Sequence, residues 1–232
     1  MLEHFTRSLQ GKIMKTIVRS IVVVGAVLFL PAVGMCAADL SKWYLTGDVG
    51  GVFQQDTTFS QSTSPGVKTP GTFNPGIRGD IAVGYNLNKS FAVELESGVL
   101  WNSIDKFGGV TLSQASQSLD FYSIPVLAKV VYKVPTGNAW TPYFGVGAGG
   151  VIGMADFQNT AGHSSDTTFI FAYQAEAGLD YALTKNTSVG IAYKFLSTPT
   201  QRYYLNGPGI NDHITLTGIY THAIVASFTW KF

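Results

Sequence analysis

The feature that most constrains the fold is a strict two-residue alternation over the last nineteen residues, Ile214 to Phe232. Every second residue counted back from Phe232 is apolar or aromatic with few exceptions, whereas the other parity is rich in hydroxyl groups and ends at Lys231. Successive side chains of a strand point to opposite faces. The length of the segment and the aromatic residues near both of its ends favour a membrane-spanning strand over a soluble one. We therefore expect this segment to close a barrel.

The composition predicts an unusually large apolar surface. Of the 232 residues, 46% are hydrophobic and 12% are charged, against about 25% charged residues in ordinary soluble domains. Beyond the N-terminal region, no apolar run reaches the roughly 18 residues that a transmembrane helix needs. Because only helices and closed barrels satisfy the backbone in lipid, a barrel is the membrane architecture that remains.

Seven further segments repeat the alternation, with apolar residues on one parity and charged, polar or small residues on the other. The eight predicted strands are Trp43–Phe53, Ile77–Leu87, Phe91–Trp101, Tyr122–Tyr132, Pro142–Met154, Phe169–Leu183, Val189–Phe195 and Ile214–Phe232. The predicted fold class is all-β, an eight-stranded antiparallel transmembrane up-and-down barrel. In the fourth segment, the outward parity includes Ile124.

The connections between these segments alternate in length. Short ones, built from turn-forming residues, lie at Asn86–Ser90, Val134–Ala139 and Thr184–Ser188. Long, polar ones, predicted as loops, lie at about 54–74, 102–118, 155–168 and 197–213. Short turns at one end and long loops at the other are typical of bacterial outer-membrane barrels. The even strand count predicts that both termini lie in the periplasm.

Charged residues of the predicted strands fall on the inward parity. They are Asp48, Arg78, Asp80, Glu94, Glu96, Lys129, Lys133, Glu176, Asp180, Lys194 and Lys231. Eight strands enclose only enough space for side chains to fill, so these nearly balanced charges predict a lumen closed by ion pairs. A selective pore is the alternative. Carboxylate chemistry at Glu94 and Glu96 is disfavoured, because both lie among basic residues on the same face.

The N-terminal region predicts a secretory signal peptide. A basic stretch with Lys15 and Arg19 precedes an apolar run, and small residues follow at 36–38, which predicts cleavage after Ala38. Residues 1–13 add nothing to this signal, so Met14 is the better start. The predicted organisation is therefore a signal peptide at 1–38, of which 1–13 are an over-extended start, and an outer-membrane barrel domain at 39–232. Cys36 is the sole cysteine, so an intrachain disulfide is excluded.

Three segments carry a likeness to known proteins: FYSIPVLAKVVYKV, TPYFGVGAGGV and QAEAGLDYALTKNTSVGIAYKF. They resemble the small outer-membrane β-barrel families, which include the OmpA-type barrel, the OmpX-type proteins and the opacity-type surface proteins. The terminal aromatic residues Phe228, Trp230 and Phe232 resemble the assembly signal of these barrels, although Ser227 stands where the families usually have a small glycine. The resemblance implies the cell outer membrane as location, with membrane lipid and the barrel assembly machinery as partners.

Three functions are compatible with such a barrel. The favoured one is a structural or surface-contact protein whose loops meet a host or environmental ligand, with Arg202, Tyr203 and Tyr204 as candidate contacts. The alternative is a small channel or transporter of hydrophobic solutes. An enzyme that modifies lipid A is the third, but no serine lies beside His222 on its face to act as nucleophile. No catalytic residue, cofactor, metal site or nucleic-acid partner is predicted.

Overall fold

The computed structural model describes residues 40–61, 68–107, 109–111, 118–159, 162–207, 210–216 and 218–232. The predicted signal peptide and its cleavage site lie outside the described residues. A 3-10 helix at Leu40–Lys42 leads into the first strand. Within the described ranges, no helix is long and apolar enough to cross a membrane.

The described part of the chain forms thirteen strands. In chain order they are β1 Trp43–Gln54, β2 Thr57–Gln61, β3 Lys68–Phe73, β4 Gly76–Asn86, β5 Phe91–Phe107, β6 Val110–Thr111, β7 Ser118–Lys133, β8 Trp140–Asn159, β9 Gly162–Ala182, β10 Thr187–Thr198, β11 Gln201–Gly207, β12 Ile210–Leu216 and β13 Ile219–Lys231.

Eight of these strands form a closed antiparallel ring. The order around the ring is β1, β4, β5, β7, β8, β9, β10 and β13, and β13 pairs with β1 to complete it. Closure leaves the ring without an edge strand, so its ladder can satisfy the backbone groups that lipid cannot. The predicted fold class, an eight-stranded antiparallel barrel, is confirmed.

The outer face of the ring is apolar, as the alternation predicts. Along β13, buried residues alternate with exposed or half-buried ones from Ile219 to Trp230. Side chains on the outward parity stay largely uncovered, for example Val49 at 66% and Phe169 at 73% exposed. One outward residue differs, because Ile124 is only 3% exposed. A surface of this kind is favourable only where lipid replaces water around the ring.

Aromatic side chains pair across neighbouring strands near one end of the ring. The ring centroids of Trp43 and Tyr85 are 5.0 Å apart, those of Phe91 and Tyr132 5.2 Å, and those of Trp140 and Tyr181 4.7 Å. Aromatic side chains with a polar group favour the interface between lipid and water. We call this the turn end of the barrel, because the three short connections lie there.

The three short connections are tight turns, as predicted. The backbone N–H of Leu87 donates to the carbonyl of Phe91 at 2.9 Å. The side-chain oxygen of Asn88 accepts from the N–H of the same Phe91 at 2.8 Å. In the second turn, Gly137 has φ of +73°, a conformation that glycine adopts without strain. Local side-chain acceptors and one glycine therefore suffice to reverse the chain.

The long connections were predicted as loops, and that prediction is wrong for most of their length. Strands β5, β7, β8 and β9 continue past the predicted ends to Phe107, Ser118, Asn159 and Gly162. Strands β2, β3, β11 and β12 form two additional hairpins, and β12 pairs with β2 to join them. Polar strands outside lipid lack the apolar alternation on which the prediction depended. We call this the hairpin end of the barrel.

The last predicted strand is shorter than expected. Instead of one strand over Ile214–Phe232, β12 ends at Leu216 and β13 begins at Ile219. Gly218 lies between them with φ of +52°, a left-handed conformation that interrupts the extended backbone. The alternation continues in the sequence across this break, so the pattern alone does not reveal it.

Inward glycines make room in the narrow ring. A β-carbon built on Gly145 would lie 2.6 Å from Glu176 Oε1, and one on Gly147 would lie 2.5 Å from Lys129 Cγ. On Gly149 it would lie 2.1 Å from the carbonyl oxygen of Val126. Strand β8 thus carries glycines at inward positions, which lets longer side chains of β7 and β9 occupy the lumen.

We expect Gly149→Ala to lower the free energy of unfolding by about 1–3 kcal/mol, because its methyl group would overlap the backbone of β7. The matched control is Gly47→Ala on the outer face, where a β-carbon meets nothing within 4 Å; it should be neutral or stabilise by about 0.5–1 kcal/mol. Urea unfolding of the refolded protein in micelles measures both. Equal stability of the two variants would contradict the close packing of β8.

Candidate functional site

The lumen holds the highest concentration of charge in the described structure. Three cations and five carboxylates form one connected cluster, which we call the lumen cluster. Its members are Asp48, Arg78, Asp80, Glu94, Glu96, Lys129, Glu176 and Lys194. These eight residues come from six strands, β1, β4, β5, β7, β9 and β10, so the cluster exists only when the ring is closed.

Glu96 is the centre of the lumen cluster. Its Oε1 accepts from Arg78 Nη2 at 2.9 Å, and its Oε2 accepts from Lys129 Nζ at 2.7 Å and from Lys194 Nζ at 2.7 Å. The Glu96 side chain is fully buried. A carboxylate removed from water is costly unless opposite charges and hydrogen bonds replace its hydration, and here three cations do so.

The three cations extend the cluster across the lumen. Lys194 Nζ lies 2.6 Å from Asp48 Oδ2 and 3.0 Å from Asp80 Oδ2. Lys129 Nζ lies 2.8 Å from Glu94 Oε2 and 3.0 Å from Glu176 Oε1.

Gln174 completes the layer as a neutral bridge. Its Oε1 accepts from Arg78 Nη2 at 2.7 Å, and its Nε2 donates to Glu96 Oε1 at 2.8 Å. Glu94 is held in turn by the hydroxyl of Tyr44 at 2.6 Å. Neither Gln174 nor Tyr44 was among the candidate site residues. The inward parity that selected the charges would have included both, had neutral hydrogen-bonding residues been counted.

Toward the hairpin end, the lumen cluster is followed by an apolar layer. Its buried members include Val52, Leu127, Ala172, Ala223 and Val225. Close packing of such side chains excludes water.

Two small cavities lie on opposite sides of these layers. The cavity toward the turn end has a volume of about 60 Å³ and is lined by Asp48, Glu94, Lys129 and Asp180, among others. The cavity toward the hairpin end, of about 20 Å³, is lined by Leu100, Phe121 and Leu196, among others. The two share no lining residue, and Arg78, Glu96 and Gln174 line neither.

The remaining predicted lumen charges lie nearer the turn end. Lys133, Asp180 and Lys231 line the larger of the two cavities, outside the lumen cluster. Lys133 Nζ donates to Asn86 Oδ1 at 2.9 Å and lies 4.0 Å from the centroid of the Tyr44 ring.

The carboxylates of Asp48, Asp80 and Glu96 are close enough to suggest a cation site, since one oxygen of each lies within 4.8 Å of the others. The ammonium group of Lys194 contacts all three at 2.6–3.0 Å. A lysine of the protein therefore provides the positive charge that a metal ion would bring.

His222 lies on the outer face of β13. Its Nδ1 and the hydroxyl of Tyr193 are 2.6 Å apart, and its ring centroid lies 5.3 Å from that of Phe195. Tyr220 stacks on Phe195 at 6.0 Å. The described contacts of His222 are thus aromatic, whereas the Ser–His–acid arrangement considered for lipid A modification needs a serine beside the histidine.

The other candidate residues lie at the two ends of the barrel. Phe228, Trp230 and Phe232 are 48%, 56% and 58% exposed on the outer face at the turn end. Arg202, Tyr203 and Tyr204 belong to β11, opposite Thr215, Ile214 and His213 of β12. They were predicted in a loop; the backbone places them in a strand, and their side chains lie outside what is described.

A closed eight-stranded ring with an apolar, aromatic-bordered exterior and a charged interior defines a transmembrane β-barrel. Residues 22–232 match the family described as the outer membrane protein beta-barrel domain. The chain belongs to this family, and its predicted location in the bacterial outer membrane is confirmed. The turn end, where β1 begins and β13 ends, is accordingly periplasmic, and the hairpin end lies on the extracellular side.

Solved structures support the same architecture. The chain is similar to Neisserial surface protein A, with 17% identity and a TM-score of 0.53 over 83% of this chain and 98% of that one. It is also similar to OprG from Pseudomonas aeruginosa, with 15% identity and a TM-score of 0.58 over 82% and 96%. AlkL gives 14% identity and a TM-score of 0.53 over 84% and 94%. No curated protein matches the chain. At these identities, the likeness shows the fold alone.

We expect Glu96→Gln to lower the free energy of unfolding by roughly 3–5 kcal/mol, because it leaves three buried cations without their shared carboxylate. Asp180→Asn, a half-buried carboxylate outside the lumen cluster, is the matched control and should have a smaller effect. Urea unfolding of the refolded barrels measures both changes. If Glu96→Gln were as stable as the control, Glu96 would not be the centre of the cluster.

Proposed function

We propose that this protein is an outer-membrane surface-contact barrel whose lumen is closed. The observation that carries the proposal is the separation of the two lumen cavities by the lumen cluster and the apolar layer. Buried ion pairs hold side chains of six strands together, and the apolar layer leaves no continuous polar surface for ions. The outer residues of the barrel wall thus face lipid, and the charged residues of the lumen pair with one another.

The hairpin end is the part of the barrel available for contact with the surroundings. Hairpins β2–β3 and β11–β12 join through the pairing of Ile214 with Gln61 and of Leu216 with Phe59. Strand β3 pairs with β5 at Gly71 and Phe107, so this sheet is continuous with the barrel wall. A rigid sheet presents side chains with less loss of entropy on binding than a flexible loop. This supports a host or environmental surface ligand, with Arg202, Tyr203 and Tyr204 of β11 as candidate contacts.

The other proposed partners follow from the outer face. Exposed aliphatic and aromatic residues suit membrane lipid, and Phe228, Trp230 and Phe232 remain uncovered for the barrel assembly machinery. A role other than catalysis is supported by the contacts of His222, whose described hydrogen-bond partner is Tyr193.

Transport of hydrophobic solutes is a second candidate, favoured by one feature of the wall. Strand β9 begins at Gly162, but its pairing with β10 extends only from Ala182 to Tyr173. Beyond Tyr173, β11 runs near β9, and no ladder between β9 and β11 or β10 is described there. The wall is therefore weaker at this point, near the end of β10, whose Thr198 lines the cavity toward the hairpin end.

We expect the refolded protein in planar bilayers to give no stable single-channel conductance, because the lumen cluster and the apolar layer block the axis. Glu96→Ala with Leu127→Ala shortens a side chain in each layer and is expected to produce conductance. Steady channels of the wild-type protein would contradict the closed lumen. Uptake of an apolar solute without ion conductance would favour the second candidate.

We expect removal of the hairpins β2–β3 and β11–β12 to abolish surface contact without unfolding the barrel. One variant replaces Thr57–Phe73 and another replaces Gln201–Leu216 with four-residue turns. A control deletes residues 157–164 from the β8–β9 hairpin. Heat-modifiable gel mobility checks folding, and adhesion of bacteria carrying each variant to immobilised glycans and matrix proteins measures contact. Full adhesion by both shortened variants would contradict the proposed role of this sheet.

A further inference from the structure

The periplasmic mouth of the barrel contains a cavity that the closed lumen does not explain. It has a volume of about 510 Å³ and opens between the first two periplasmic turns. Four lysines line it, and none of the described lining residues is acidic. They are Lys42, Lys89, Lys133 and Lys231. We call this cavity the basic vestibule.

Asn86 contacts the backbone of one of these lysines and the side chain of another. Its Nδ2 donates to the carbonyl oxygen of Lys42 at 3.0 Å, and its Oδ1 accepts from Lys133 Nζ at 2.9 Å. One neutral side chain therefore connects the entry to β1, the end of β4 and the end of β7. The ammonium group of Lys133 is thus positioned before any ligand arrives, which lowers the entropy that binding must overcome.

The two turns that frame the basic vestibule are equally well ordered. Asn88 Oδ1 accepts the N–H groups of Ser90 and Phe91, each at 2.8 Å. In the second turn, Asn138 Oδ1 accepts from the N–H of Trp140 at 2.8 Å and from Thr136 Oγ1 at 2.9 Å.

The lining of the basic vestibule is net positive, although Lys133 and Lys231 also line the adjoining lumen cavity. The described ion pairs of the lumen cluster use Arg78, Lys129 and Lys194. The described partners of Lys133 are instead the neutral Asn86 and the ring of Tyr44. The adjoining lumen cavity is lined by four acidic and four basic residues, among them Glu94 and Asp180 beside Lys133 and Lys231. An anion would thus meet a net positive lining at the mouth and a balanced lining in the cavity above it.

We propose that the basic vestibule binds a multivalent anion that carries phosphate or carboxylate groups. Lysine ammonium groups bind phosphate as point charges, and four around one cavity suit a ligand with several negative groups. The volume lies within the range of roughly 300–1,000 Å³ that is usual for small-ligand sites. The ligand chemistry has two possible sources, a soluble periplasmic anion or the headgroup of an anionic phospholipid in the inner leaflet.

Titration of the refolded protein in non-ionic micelles with inorganic tripolyphosphate tests the site. The double variant Lys42→Gln/Lys89→Gln removes two exposed lining lysines and should bind at least tenfold more weakly. The matched control is Lys106→Gln/Lys185→Gln, which removes the same charge from exposed positions outside the vestibule and should stay within about twofold of wild type. Heat-modifiable mobility checks that each barrel is folded. Binding should also weaken as salt rises, because the lysines are partly exposed.

A second arm distinguishes the two sources. The titration is repeated in bilayers of zwitterionic lipid with and without anionic phospholipid. Competition by the anionic lipid, lost in the Lys42→Gln/Lys89→Gln variant, assigns the lipid headgroup; undiminished tripolyphosphate binding assigns a soluble anion. The proposal is overturned if wild type binds no tripolyphosphate in either arm, or if the control variant loses as much affinity as the vestibule variant.

Discussion

The pairing of every backbone group in lipid is the constraint on which the rest of this structure depends. An open sheet would leave a row of donors and acceptors facing hydrocarbon, so the eight strands must close. Closure at eight strands fixes a lumen that side chains alone can fill. Three inward positions of β8 are then glycines. Gly145 and Gly147 leave space for Glu176 and Lys129 from the neighbouring strands, and Gly149 lies against the backbone of β7.

The lumen cluster follows from this confinement. In so narrow a space, an isolated ion pair would lose more hydration than a single contact restores. The structure instead lets each charge contact several opposite ones: Glu96 contacts three cations, and Lys194 contacts three carboxylates. Its members include five acids and three bases, so two formal negative charges remain. Lys133 and Lys231 lie on the periplasmic side of this excess.

Sequence alone predicts the membrane part of this protein because lipid enforces a two-residue period there. The strand ends at the periplasmic turns and the uncovered outer residues such as Val49 follow from it. Outside lipid the two-residue period is not enforced, so the hairpins β2–β3 and β11–β12 were predicted as loops. The break at Gly218 does not interrupt the alternation in the sequence and was therefore not predicted. The period also selects which charges face inward, yet their partners depend on strand register and on lumen width. Arg78 meets Gln174 from a strand 96 residues away, and no local pattern encodes that contact.

The two ends of the barrel differ in structure and in charge, and this difference separates their possible roles. At the hairpin end, strands extend beyond the membrane and form a paired sheet. This sheet adds exposed surface but no charge to the lumen. At the periplasmic end, the turns are short, so the flanking lysines are brought around one mouth. Asn86 there binds the backbone carbonyl of Lys42 and the ammonium group of Lys133. The lumen cavity above that mouth is lined by four acidic and four basic residues, whereas the mouth is lined by four lysines and favours anion binding. Attraction at the mouth, with the lumen cluster and the apolar layer above it, favours a binding site at the periplasmic face over a path through the membrane.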